Sequence, residues 1–332
     1  MAMTTATLLT SAASLLAALD PNTYTAHPLH DDVRDWPETN CYVDHWIEVL
    51  HALDLNPVAA LAFTLSSDFD GEQWEFFKFP PEDLRALFGI EVHEMNAWRP
   101  LPLHIEEHLR LGHLVTIEAD SWFLPDTAGA SYRLGHQKST IAPARIDRDR
   151  RVLGYFHNRG YYELEGDDYD GVVRPDSADA DDGVLPPYAE VVVLEHLARL
   201  DDGALRADAT HLVIGHLARR PATNPVERLT ERITADIEWL RDEDRELFHP
   251  YAFGTLRQCG AWAGCVAAFV EWFAPAEVEC RDAFVALSTV AKTAQFKLAR
   301  AAAGRSSDLS DTFATMAGHW DDGYRLLVDA HG

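Results

Sequence analysis

Trp36-Pro37-Glu38-Thr39-Asn40-Cys41-Tyr42-Val43-Asp44-His45-Trp46 puts a cysteine where a helix begins. Val43, Trp46, Ile47, Leu50 and Leu53 recur at helical spacing, with Asn40 or Thr39 as the cap. Unpaired N–H groups and the positive end of the dipole at a helix N-terminus favour a thiolate over a thiol. Cys41 is therefore the candidate nucleophile of this chain. The competing assignment is a small buried residue filling a gap under the first turn.

Outward from this helix, the apolar run Ala59 to Thr64 predicts a short strand. The acidic turn Asp68-Phe69-Asp70-Gly71 and the aromatic alternation Trp74, Phe76, Phe77, Phe79 follow it. Pro80-Pro81-Glu82-Asp83 opens another helix, and Pro102 to Leu111 reads as one more. Leu114 to Ala119 and Lys138 to Ile146 alternate like strands, and Arg151 to Phe156 reads as a hairpin partner across Asp147-Arg148-Asp149-Arg150. Glu163 to Asp182 carries nine acidic residues and one arginine, which predicts a boundary or an exposed loop. Beyond it, Tyr188 to Leu200, Ala204 to Arg219, Pro225 to Arg241, Tyr251 to Phe273, Ala276 to Ala303 and Ser310 to Ala330 all show helical spacing. The expected organisation is an α+β domain over residues 1–184, with an N-terminal arm, and an all-helical domain over 185–332.

Composition narrows the functional classes. With 28 basic and 54 acidic residues the formal net charge is −26, which disfavours nucleic acid and anionic membrane as partners. Cys41, Cys259, Cys265 and Cys280 lack paired zinc-type spacing and read as reduced thiols of a cytoplasmic protein. No lysine or arginine precedes Arg34, so a signal peptide is not expected. The apolar stretch Cys259 to Phe273 is interrupted by Glu271 and too short to span a bilayer.

A cysteine nucleophile needs a base and a group that orients the base. His136, at the head of the strand beginning Gly135-His136-Gln137-Lys138, is the candidate base. If the hairpin pairs about Asp147, Asn158 lies opposite His136 on the same sheet face; a slip of one residue substitutes His157 or Arg159. Cys, His and Asn in that order, on a helix and two strands, is the layout of papain-like cysteine enzymes. The Cys41 N–H is one oxyanion donor. Asn40, His45, Trp74, Asp120, Trp122, Lys138 and His157 are the candidate oxyanion and substrate contacts. His104-Ile105-Glu106-Glu107-His108 matches an inverted zinc-peptidase spacing but lacks a third ligand, and reads as an exposed charged helix face. No metal and no bound cofactor are expected, and no Walker, GxGxxG or GxSxG motif occurs.

Thr39-Asn40-Cys41-Tyr42-Val43-Asp44, Phe76-Phe77-Lys78-Phe79-Pro80-Pro81-Glu82-Asp83-Leu84, Trp122-Phe123-Leu124-Pro125-Asp126-Thr127 and Gly154-Tyr155-Phe156-His157-Asn158 resemble the bacterial family catalogued as domain of unknown function 1839. More distantly, the order of helix-leading cysteine, Trp-Phe-Leu-Pro segment and histidine-led strand is similar to the N-terminal domain of butirosin biosynthesis protein H. That domain has a papain-like fold and moves an acyl group from a carrier-protein thioester to an amine. The resemblance implies Cys41 as nucleophile, His136 as base and Asn158 where relatives carry an acid. It also implies an acyl or aminoacyl carrier protein as partner, its phosphopantetheine arm as donor and a small-molecule amine as acceptor. Hydrolysis of a small amide by the same residues, and a non-catalytic carrier- or ligand-binding protein, are the alternatives. Arg145, Arg148, Arg150 and Arg151, or Lys292, Lys297 and Arg300, are candidate basic patches for an acidic carrier.

Overall fold

The computed structural model describes Ala12 and residues 15–174, 186–243 and 245–332. By its contacts the chain forms two compact units. One comprises Met1–His30, Cys41–Pro57 and Pro80–Asp201; the other comprises Asp31–Asn40, Val58–Phe79 and Asp202–Gly332.

The first unit is an antiparallel sheet in the order β1-β6-β2-β3-β4-β5, with helices on both faces. Its strands are β1 (Glu91–Glu94), β2 (Leu114–Asp120), β3 (Lys138–Asp147), β4 (Val152–His157), β5 (Gly160–Glu165) and β6 (Ala189–Val193). Its helices are α1 (Cys41–Ala52), α2 (Pro81–Phe88), α3 (Leu101–Arg110) and α4 (Asp167–Val173). Strand alternation sorts the two faces. Val115, Ile117, Ala119, Ile141, Leu153 and Tyr155 join Leu101 and Ile105 of α3 and Tyr169 and Val172 of α4 in an apolar core. The intervening Thr116, Glu118, Asp120, Lys138 and Thr140 lie on the face covered by α1, whose residues Tyr42 through Leu50 are buried. Gly89 ends α2 with φ 68°, and a Cβ there would meet the His196 carbonyl oxygen at 2.0 Å, so only glycine fits.

Several elements differ from expectation. Ala59–Thr64 lies within a 3₁₀ segment, Pro57–Ser66, rather than a strand. Tyr188–Leu200 is not a helix: its apolar run supplies β6, hydrogen-bonded between β1 and β2, so the sheet extends past residue 184. Short alternating Val-rich runs suit a strand as readily as a helix, and tertiary pairing decides. β1 and β5 were not anticipated. Part of the acidic run forms β5 and α4, with Arg151 paired to Asp167 and Asp170; residues 175–182 of it lie outside the described residues. The expectation for Thr7–Leu19 also falls largely outside them.

The second unit contains α5 (Asp202–Ala218), α6 (Pro225–Asp242), α7 (Arg245–Ala252), α8 (Gln258–Phe273), α9 (Val278–Ala302) and α10 (Ser310–His331). The expected continuous helix Tyr251–Phe273 is instead broken by a π-helical stretch, Phe253–Arg257, just after Pro250, whose missing N–H disturbs the helical ladder. Trp262 anchors this core: its indole N–H donates to the Thr64 carbonyl at 2.7 Å, and its ring packs against Trp74, Phe284 and Tyr324. Among the described residues no helix is long and apolar enough to cross a membrane.

Candidate functional site

Cys41 is the first residue of α1 and is half-buried, whereas Cys259, Cys265 and Cys280 are buried. Its Sγ lies 3.8 Å from Thr140 Oγ1 on β3. Burial pushes the Cys259 thiol well above its usual range, and burial with the nearby Glu277 pushes Cys280 up to about 12. These two are held as inert thiols.

The same strand leads back to His136. Its Nδ1 lies 2.6 Å from Asp120 Oδ2, and its ring stacks on Trp122 at 4.6 Å between centroids and 10° between planes. Asp120 closes β2 opposite Lys138 and uses both carboxylate oxygens. Oδ2 takes His136, while Oδ1 accepts the Trp122 N–H at 3.0 Å, capping the turn Ser121–Phe123. One carboxylate therefore fixes the imidazole and, through the Trp122 backbone N–H, the turn that carries the indole covering it. An Nδ1–H donated to Asp120 leaves the Nε2 lone pair as the base of the neutral ring. The His136 side chain is 67% exposed and that of Asp120 19%, so the pair is open to solvent.

The expected partner of His136 was Asn158, and here the structure corrects the register. The β3–β4 pairs are Ala142 with Phe156 and Pro143 with Tyr155, shifting at a bulge to Arg145 with Gly154 and Asp147 with Val152. Continued by two residues, this register sets Asn158 opposite Thr140 rather than His136. Asn158 instead starts the tight turn between β4 and β5 with φ 43°, a conformation asparagine tolerates.

The remaining predicted contacts separate. Lys138 forms an ion pair with Glu118 at 3.0 Å on the α1 side of the sheet. His45 is a buried residue of α1, its Nδ1 2.9 Å from the Cys41 carbonyl one turn earlier and its ring against Tyr42 and Trp46. Asn40 and Trp74 belong to the helical unit. The Asn40 amide donates to the Phe77 carbonyl at 3.0 Å, and Trp74 is buried against Trp262 with its backbone N–H on the Gly254 carbonyl.

His157 faces the other side of the sheet from Cys41. Its Nδ1 is 2.6 Å from Asp126 Oδ2, its Nε2 is 2.6 Å from Ser139 Oγ, and Tyr155 donates to Asp126 Oδ1 at 2.5 Å. His157 and Tyr155 are almost wholly buried, so this set ties the Trp122–Asp126 segment to β3 and β4 from behind. Asp126 and Ser139 were missed from sequence; Asp126 in the Trp-Phe-Leu-Pro-Asp segment was the available signal.

His104 is buried rather than on an exposed face, and its Nε2 accepts the Trp98 N–H at 3.3 Å. Burial and the nearby Arg99 lower its affinity for a proton. Among the described residues no group of three His, Cys, Asp or Glu side chains could hold a metal ion. The hairpin arginines are largely neutralised, Arg145 by Glu163, Arg148 by Glu106 and Arg151 by Asp170, so they form an ion-paired surface. Lys292 pairs with Asp35, and Lys297 donates to Thr312.

A protein-family model described as the DUF1839 N-terminal domain matches residues 25–194, and one described as the DUF1839 C-terminal domain matches residues 202–329. No curated protein matches the chain.

Proposed function

The chain belongs to the DUF1839 family, and from its site we propose that it is a cysteine-dependent acyltransferase acting on carrier-protein thioesters. The observation that carries this reading is the half-exposed helix-leading thiol beside β3, together with the Asp120-oriented, Trp122-stacked His136 at the head of that strand. The first half-reaction has Cys41 Sγ add to the thioester carbonyl as the thiol proton passes through solvent to His136 Nε2, four residues before Thr140 of β3, and the imidazolium then protonates the departing phosphopantetheine sulfur. The second has an amine attack acyl-Cys41, its excess proton passing through His136 to regenerate the thiol. A thiol-for-thiol exchange is nearly balanced, so the acyl-enzyme accumulates without an energy source. Asp120 takes the orienting role first expected of Asn158, and the Cys41 N–H at the start of α1 serves as an oxyanion donor.

Exposure of His136 to solvent supports a second reading, in which water replaces the amine and the protein is a thiol hydrolase. The fate of acyl-Cys41 separates the two. Acyl-enzyme formed from a loaded carrier should decay to amide when amines are supplied and persist when they are omitted. Equal decay to free acid with and without amine would assign a hydrolase.

A further inference from the structure

The helical unit holds a cavity of about 270 Å³ between Val33–Trp36 and the facing sides of α8 and α9. Its floor is made of the small residues Gly264, Ala267 and Ala268, and Trp36 forms a wall. The indole is fixed in advance, its N–H on the Ser288 carbonyl at 3.2 Å and its edge against Gly260, where a Cβ would meet Nε1 at 2.5 Å.

Of the charged residues lining this space, Asp35 and Glu271 already have counterions. Asp35 accepts from Thr289 Oγ1 at 2.6 Å and lies 3.7 Å from Lys292, and Glu271 lies 3.9 Å from Arg281. Arg281 in turn donates to Asp282. Arg34 differs. One terminal N–H₂ donates to the Gly264 carbonyl at 3.1 Å, while its Nε is buried with no acceptor among the described residues, where Arg34 also makes no ion pair. A guanidinium held at a cavity with a single neutral acceptor and no ion pair among the described residues is under-compensated, and a carboxylate is its natural partner.

We propose that this cavity binds a small organic monocarboxylate, its carboxylate paired with Arg34 and its apolar or planar body against Trp36 and Ala267. A dianion such as a phosphate monoester fits less well, because Asp35 and Glu271 share the lining and Arg34 alone supplies uncompensated positive charge. Gly264 keeps the space open, since a Cβ there would lie 3.5 Å from Arg34 and 3.4 Å from Ser288 Oγ. This inference stands on the helical unit alone and is independent of the chemistry proposed for Cys41.

The test uses the full chain and phenylacetate, followed by saturation-transfer NMR and by the shift in melting temperature. Phenylacetamide is the neutral isostere and phenyl phosphate the dianion. Phenylacetate should bind at least about tenfold more tightly than either. Its binding should be lost in Arg34→Gln and in Gly264→Leu, and weakened in Arg34→Lys, with circular dichroism showing each variant folded. Arg34→Gln removes charge without adding bulk, so the test does not depend on Gly264→Leu folding. Equal binding of phenylacetamide, tighter binding of phenyl phosphate, or unchanged affinity in Arg34→Gln would overturn the proposal. So would no binding of phenylacetate, benzoate or hexanoate at about 10 mM, a concentration that reveals even millimolar affinity.

Discussion

Asp120 is the residue on which the candidate site turns, because it holds His136 by one oxygen and the turn carrying Trp122 by the other. Asp120→Asn should release the His136 tautomer while keeping the capping oxygen. Iodoacetamide on the native protein should label Cys41 alone of the four cysteines, since the other three are buried. The labelling rate at neutral pH should fall about tenfold or more in Asp120→Asn and in His136→Ala. Peptide mapping reads both quantities. Equal labelling of all four thiols would remove the distinction of Cys41, and an unchanged rate in both variants would remove His136 and Asp120 from the site. That Cys41 begins a helix and that His136 precedes a strand were legible in the sequence, because helix and strand starts leave local signals. The Asp120–His136 pair was not, because it depends on a β2–β3 register set by tertiary contacts. Asn158 was misassigned because the bulge between Pro143 and Arg145 and the turn after Asp147 shift the hairpin by several residues.

At the scale of elements, α1 is fastened to the segment before it by a buried charge cluster. His30 Nδ1 pairs with Glu48 and its Nε2 lies 3.5 Å from Asp44, one helical turn earlier. Tyr24 donates to Glu48 at 2.5 Å, and the His27 N–H reaches the same carboxylate. Burial opposes the charged imidazole, but hydrogen bonds and attraction from Asp44 and Glu48 outweigh it, and the pKa of His30 is pushed up to about 9; Glu48 is lowered by the same partnership. A raised histidine pKa contributes stability that is complete below its unfolded value near 6.5 and is lost as pH rises through 9. That contribution is about 3 kcal/mol. Glu48 adds the opposite limb, present above its unfolded value and lost as pH falls through its lowered one. Amide exchange of residues 24–30 should therefore be slowest in mildly acidic solution and accelerate between pH 7 and 9.5, and His30→Gln should flatten that rise. A pH-independent wild-type rate, after correction for intrinsic exchange, would refute the clamp.

The network behind the sheet is also structural in its energetics. Removing His157 leaves the Asp126 carboxylate buried without its cation-capable partner, so His157→Ala should cost about 3 kcal/mol in urea unfolding. A loss below about 1 kcal/mol would show that Asp126 is satisfied without it. The helix and strand periods made α1, β2, β3 and β4 readable, whereas β1, β5 and β6 are short runs whose state is chosen by their neighbours.

At the scale of the whole molecule, the two compact units do not follow the order of the chain. Trp36, Thr64 and Trp74 come from the first eighty residues yet pack with Gly260, Ser288 and Trp262 of the helical unit. The sequence suggested two consecutive domains because composition changes along the chain, and composition is blind to early segments such as Asp31–Asn40 and Val58–Phe79 that belong to the helical unit. Fragment 202–332, which lacks Asp31–Asn40 and Val58–Phe79, should be unfolded or aggregated alone and recover helical circular dichroism when co-expressed with fragment 1–201. A fragment 202–332 that folds cooperatively by itself would contradict this division.

The proposed chemistry requires the intact protein to carry acyl groups on Cys41. Intact-mass analysis after incubation with carrier proteins loaded with a range of acyl and aminoacyl groups tests it directly. The predicted result is one added acyl mass, mapped to Cys41, cleared by an amine and absent in Cys41→Ala. No adduct across the panel, or an adduct that survives in Cys41→Ala, would contradict it.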